Sequence, residues 1–193
     1  MSASGPKQTS LVASHMLLTQ SGHGPLGSPF SFSRMMLSRV AYTGTGNMLP
    51  DEQQERVRSS FAKQGLMTTL GATLTTVSPG MVEIALTPHP AISQQHGFVH
   101  GGAVSAIADS AAGYAALSLM PADTGVLTTE FKINLLAPAA GERILARGRV
   151  VKTGRTLTLA QAEVFAKTGE REKLIAFLTA TLMAVKGRDD IND

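Results

Sequence analysis

The chain has 193 residues, 43% of them hydrophobic, enough for one substantial core. It has no cysteine, which excludes disulfide frameworks, thiolate zinc sites and cysteine nucleophiles together, and suits a reducing compartment. Of the 17 basic residues only Lys7, Arg34 and Arg39 precede residue 51, where no acidic residue occurs, so the rest of the chain balances 14 basic against 14 acidic side chains. That neutral body carries no recognition motif and argues against a nucleic-acid partner. Residues 1–48 are rich in Ser, Gly, Thr and Pro, show no period of 2 or 3.6, and read as a disordered extension or as the result of start-site choice, with Met48 the alternative start. Their lack of acid also fits an organellar transit peptide, and the apolar patch at Met16–Leu18 is too short for a secretory signal.

From Pro50 the pattern changes, and residues 49–187 read as one domain before a polar tail, 188–193. Asp51–Gly65 has an acidic first turn and predicts a short surface helix. Met67–Val77 and Met81–Leu86, on either side of Ser78-Pro79-Gly80, predict a β-hairpin. His100–Met120 is Ala-rich and nearly all apolar, a long helix stopped by Pro121. Val126–Leu136 alternates, placing Leu127, Thr129, Phe131, Ile133 and Leu135 on one face and Thr128, Glu130, Lys132 and Asn134 on the other. Glu142–Lys152, Thr156–Ala166 and Lys173–Val185, parted by Gly154 and Gly169, complete an expected antiparallel meander.

An apolar run of about 20 residues has the length of a membrane span. Asp109 in its middle, its many Ala and Gly and the absence of a flanking basic cluster oppose that reading. A helix apolar all round in a soluble chain must be buried on all sides. An antiparallel sheet curled around one helix achieves this. The fold class predicted is therefore α+β, a hotdog fold: a curved antiparallel β-sheet wrapped around one long central helix.

Asp109 is the lone carboxylate of that helix, and a buried unpaired carboxylate is costly, so it needs a partner or a purpose. Ser105, Asp109 and Gly113 recur every four residues and form one narrow stripe. Gly113 in a helix interior costs about 1 kcal/mol relative to Ala, which implies a use for the room. His100-Gly101-Gly102 opens the helix, where unpaired N–H groups and the positive end of the dipole suit a developing oxyanion. The plainer alternatives are a structural carboxylate and a tight turn into a helix. His96 and His100 stand four apart but lack a third ligand, so no metal site is expected.

The run HGGAVSAIAD, His100 to Asp109, with Gln94 six residues before His100, resembles the signature of the phenylacetyl-CoA (PaaI-type) and 4-hydroxybenzoyl-CoA branches of the hotdog thioesterases. LLAPA at Leu135–Ala139 and KTGRTL at Lys152–Leu157 extend the likeness over about Gln53 to Val185. The resemblance implies an acyl-CoA thioesterase acting on an aromatic or a medium- or long-chain acyl group, with no cofactor beyond the CoA of the substrate. By the same likeness Asp109 is the nucleophile or general base, and the Gly101 N–H polarises the thioester carbonyl. Gln94 positions thioester or water, and His100 orders the loop. Gly102, Ser105, Gly113, Thr128 and Arg155 are the expected substrate contacts, Thr128 holding the water. Relatives of the hydroxybenzoyl type carry a Thr four residues after the acid, where this chain has Gly113. Arg143, Arg147 and Arg149 share a strand face and, with Lys152 and Arg155, could meet the CoA phosphates; a solvated face is the alternative.

Two other functions suit the same fold. A thioester hydratase or dehydratase would need an Asp-x-x-x-x-His spacing that is missing between Thr87 and His100, and a non-catalytic acyl-CoA binder would drop the acid that Asp109 supplies. Helix geometry adds an expectation about assembly. Gly101 and Asp109 lie about 12 Å apart along one helix, too far for a single thioester, so an antiparallel homodimer with composite sites is predicted. The resemblance extends this to a tetramer. The expected compartment is the cytoplasm, or the mitochondrial matrix if residues 1–48 act as a transit peptide.

Overall fold

The computed structural model describes residues 49–188 and 191. The readings made of residues 1–48, and of most of the tail, fall outside them. Helix α1, Asp51–Ala62, follows Pro50 with Asp51 and Glu52 at the positive end of its dipole. It does more than cover a surface, because Val57 and Ser60 are buried. A second helix, α2 at Gly65–Leu70, occupies the start of the segment expected to be a strand. Its Thr68 and Thr69 hydroxyls donate back to the Gln64 and Gly65 carbonyls, and Gly71 ends it in the left-handed conformation, φ 68°. Only then does strand β1, Ala72–Ser78, begin, turning at Gly80 (φ 70°) into β2, Met81–Leu86.

The long helix α3 spans Gly101–Leu117, with His100 as its N-cap residue. Strands β3 (Thr124–Leu135), β4 (Arg143–Lys152), β5 (Leu157–Thr168) and β6 (Arg171–Lys186) follow. The six strands form one antiparallel sheet in the order β1-β2-β4-β5-β6-β3. The meander is real for β4-β5-β6, but β3 does not pair with β4. It lies at the far edge beside β6, and β4 pairs with β2. The connection after β3 therefore crosses the end of the sheet, where the Val99 N–H donates to the Ala139 carbonyl.

Helix α3 packs on the concave face against β2 to β6. Val104, Ile107, Ala108, Ala111, Ala112 and Ala115 are buried against Ile84, Ile144, Ala146, Val164, Leu178 and Leu182. The many alanines let the helix lie close to the strands. At Gly148 the approach is so tight that a Cβ would stand 2.1 Å from the Ala111 carbonyl oxygen. The far end of α3 is held by α1: Gln53 Nε2 donates to the Leu117 and Met120 carbonyls at 3.0 and 3.1 Å. Arg56 donates to the carbonyls of Met120, Pro121 and Thr124. A cation at the negative end of a helix dipole stabilises it.

The helix is not buried on all sides. Gly101, Gly102, Ser105, Ala106, Asp109 and Ser110 remain partly or largely accessible along the side turned away from the sheet. Among the described residues no helix is long and apolar enough to cross a membrane.

Candidate active site

Asp109 sits two turns into α3 on that open side, half-buried. Burial pushes its carboxyl above the usual carboxylate range, and a hydrogen bond from the Thr128 hydroxyl to Asp109 Oδ1, 2.9 Å, opposes the rise. Simple alternation places Thr128 on the opposite face from Phe131 and Ile133. A β-bulge between Thr128 and Glu130 overturns this, since Thr128 pairs with Leu182 whereas Phe131 pairs with Ala180. The extra residue turns the strand by one position, so Thr128 joins Phe131, Ile133 and Leu135 on the helix side and Leu127 moves to the outer face.

At the start of α3 the backbone donors are distributed unequally. The Gly102 N–H donates to His100 Nδ1 at 2.9 Å, while the N–H groups of Ala103 and Val104 donate to the His100 carbonyl. Gly101, the first helical residue, has no intrahelical acceptor for its N–H and no other acceptor among the described residues. Leu135 Cδ1 lies 2.9 Å from where a Cβ on Gly101 would stand, so the end of β3 covers this corner.

The remaining expected site residues divide. Ser105 turns its hydroxyl back to the Gly101 carbonyl, 2.8 Å. Gln94 lies in the loop that doubles back through the bridge between Ser93 and Val99, and its Oε1 accepts from the His96 N–H. Gly113 is buried, yet a Cβ there would meet nothing within 4 Å, so the helix has open room beside it one turn beyond Asp109. Arg155 is exposed in the turn between β4 and β5. That turn is at the end of the sheet where Gly80 meets Ser118 just past α3, opposite to Gly101. Arg147 is fully engaged elsewhere: it bridges Glu83 and Glu172, both at 2.7 Å, and lies over the Phe165 ring. Its charge serves the sheet and not a phosphate.

Within one chain, then, Asp109 and Thr128 are brought together, and so are His100 with Gly102 and Ser105 with Gly101. Asp109 makes no contact with Gly101 or Gln94; eight residues of helix separate it from Gly101 by about 12 Å. Sequence reasoning missed Gln53 and Arg56, which fix the other end of α3. Polar residues at Gln53 and Arg56 look solvent-facing by pattern alone.

A six-stranded antiparallel sheet packed on one long helix, with a carboxylate on that helix and a His-Gly-Gly start, is the architecture of the hotdog fold. The sequence pattern of the thioesterase superfamily matches residues 96–173. A crystal structure of a thioesterase family protein from Silicibacter pomeroyi shares 52% identity, with a TM-score of 0.68, over 70% of this chain and 99% of that one. The PaaI protein of E. coli, from the phenylacetic acid degradation operon, superposes with a TM-score of 0.65 over 72% of this chain and 97% of its own; at 19% identity it speaks for the fold alone. The 1,4-dihydroxy-2-naphthoyl-CoA hydrolase of Listeria monocytogenes is 26% identical over 124 residues, 64% of this chain and 98% of the relative. The chain belongs to the thioesterase superfamily. It is a thioesterase by class, an enzyme that splits a thioester into a free acid and a thiol.

Proposed function

We propose that Asp109 is the carboxylate that drives hydrolysis, and that a second copy of the chain completes its site. The observation that carries this is the half-buried Asp109 carboxyl, held by Thr128 on the open side of α3. A carboxylate made more basic by burial is a better proton acceptor. It takes a proton from water as the oxygen attacks the thioester carbon. The carbonyl oxygen gains charge and accepts the Gly101 N–H of the partner subunit. Collapse breaks the C–S bond, and the proton on Asp109 passes to the leaving thiolate. Direct attack by Asp109, through an anhydride that water then opens, is the alternative route for the same residue.

Two features support assembly. Strand β3 is the last strand at one end of the sheet, and Phe131 and Leu135 on its helix side are 46% and 58% exposed. A long apolar edge invites pairing with another strand. Two chains joined there with antiparallel helices bring the Gly101 end of one α3 towards Asp109 of the other, and two-fold symmetry gives two equal sites. On the outer face Leu127, Met183 and Leu157 form an apolar row across β3, β6 and β5, which suits a further pairing into a tetramer.

The substrate proposed is an aromatic or a medium- or long-chain acyl-CoA, and the compartment the cytoplasm, or the mitochondrial matrix if residues 1–48 are a transit peptide. The test is thiol release from a panel of such acyl-CoAs, with Asp109→Asn as control. Its turnover should fall at least about a hundredfold. Because the folded state holds this carboxyl above its unfolded value, the stability it contributes is complete below the unfolded value and lost as pH rises through the folded one. The Asn variant should therefore melt at neutral pH no lower than wild type. Mixed dimers of Asp109→Ala with a chain altered at Gly101 or Gln94 should recover about one intact site each. Normal turnover in Asp109→Asn, or no recovery in verified mixed dimers, removes the reading.

A further inference from the structure

Beyond its bulge, strand β3 alternates without interruption. Phe131, Ile133 and Leu135 pair with Ala180, Leu178 and Ala176 on the helix side, while Glu130, Lys132 and Asn134 lie on the outer face. The strand is the last of the sheet, and Glu130, Phe131 and Lys132 are exposed on it in succession. Glu130 Oε1 accepts from the Thr181 hydroxyl on β6 at 3.1 Å, which holds the carboxylate on the outer face. Among the described residues neither Glu130 nor Lys132 enters an ion pair. An acid, an aromatic ring and a base in that order are complementary to the same three residues running the other way.

Two copies joined along β3 about a two-fold axis run antiparallel, and residues directly across from each other share a face. The site itself narrows the possible alignments. Thr128 holds Asp109 and Leu135 covers Gly101, so the axis must cross β3 near the middle of 128–135 if the partner's Gly101 is to approach Asp109. That leaves an axis at Phe131 or one at Lys132. With the axis at Lys132 the two ammonium groups oppose each other and Glu130 faces the partner's Asn134. With the axis at Phe131 the two rings oppose each other on the helix side, and on the outer face each Glu130 meets the partner's Lys132. Opposite charges and aromatic pairs directly across a ladder stabilise it, and like charges destabilise it.

We propose that Glu130, Phe131 and Lys132 set the register in which two copies of the chain pair, with Phe131 on the two-fold axis and reciprocal Glu130–Lys132 ion pairs on either side of it. This rests on the reading of the site as composite and assigns the residues that align its two halves. A slip to the neighbouring register moves one strand along the other by two residues, about 7 Å. An oxyanion donor must lie about 3 Å from its oxygen, so a slip of that size takes the partner's Gly101 out of reach of the thioester beside Asp109.

The chain has no cysteine, so a single one introduced into the full chain can bridge only to its own copy. In the proposed register Phe131→Cys puts two thiols directly opposite each other, with Cα atoms about 4.5–5.5 Å apart, within the span of a disulfide. Lys132→Cys puts them on a diagonal about 7–8 Å apart, beyond that span. Oxidation with copper–phenanthroline should therefore give a crosslinked dimer from Phe131→Cys and at least about tenfold less from Lys132→Cys. The reverse ranking overturns the proposal. Charge variants test it with Phe131 in place. Glu130→Lys and Lys132→Glu should each speed subunit exchange between tagged chains about tenfold or more, and the double reversal should return exchange to the wild-type rate. A single reversal without effect, or a double reversal as fast as the single ones, also overturns it. A Lys132→Cys crosslink in an active dimer removes the register and leaves the composite site standing, whereas a fully active monomer removes both.

Discussion

Replacing Gly101 by proline isolates a single N–H. Gly101 is the first residue of α3, where proline is tolerated because that N–H has no place in the helix ladder. The preceding residue must be extended, and His100 already is, at φ −61° and ψ 139°. A Cβ at this position meets only Leu135 Cδ1, at 2.9 Å, the tip of a flexible side chain that is 58% exposed. Gly101→Pro should therefore fold and assemble. If the lost N–H is the donor to the oxyanion, kcat should fall about 10²- to 10³-fold, or about 3–4 kcal/mol of transition-state stabilisation. Gly101→Ala carries the same Cβ and keeps the N–H, so the ratio of the two variants reads the donor itself. Thiol release at saturating acyl-CoA gives kcat, with circular dichroism melts and sedimentation confirming fold and assembly. A folded, assembled Gly101→Pro enzyme as fast as Gly101→Ala would refute the assignment.

Thr128→Val removes the hydrogen bond that opposes the rise in the Asp109 carboxyl, so the carboxylate is lost at a higher pH than in wild type. A bond to a charged group at the exposed Thr128 contributes about 1.5 kcal/mol, so kcat/KM should drop about tenfold on the acid side and hold on the alkaline plateau. A uniform loss across pH would show that Thr128 acts in another way. Arg56→Ala strips the cation and three carbonyl contacts from the far end of α3. It should cost about 2–3 kcal/mol and lower the melting temperature by about 5 °C or more, and Lys should not restore the loss because it lacks the planar fork. An unchanged melt would mean that solvent replaces the cap at no cost.

Much of the fold is legible locally. The apolar run from His100, the alternation after Val126 and the breaks at Gly154 and Gly169 each declare an element through its own period. Packing logic then joins a wholly apolar helix to an antiparallel sheet. Gly65 and Gly71 mislead because the five residues between them, rich in Thr and Leu, suit either a strand or one short helix; the left-handed turn at Gly71 decides for the helix. The motif His100-Gly101-Gly102 with Asp109 was likewise visible as a spacing.

What pairs with what was not visible. No local pattern says that β3 lies beside β6 and β4 beside β2, since both arrangements satisfy the same alternation. A one-residue bulge cannot be read from alternation, yet it alone turns Thr128 towards Asp109. Arg147 looked like one of several free cations until β2, β4, β5 and β6 were placed side by side, with Glu83 and Glu172 around it. The choice of Gly102 and not Gly101 as the donor to His100 also depends on the angle at which the loop enters α3. Periodicity is set by neighbours within a few residues and is written in the chain. Register, bulges and caps are set by residues tens of positions apart, which meet only when the sheet closes over the helix.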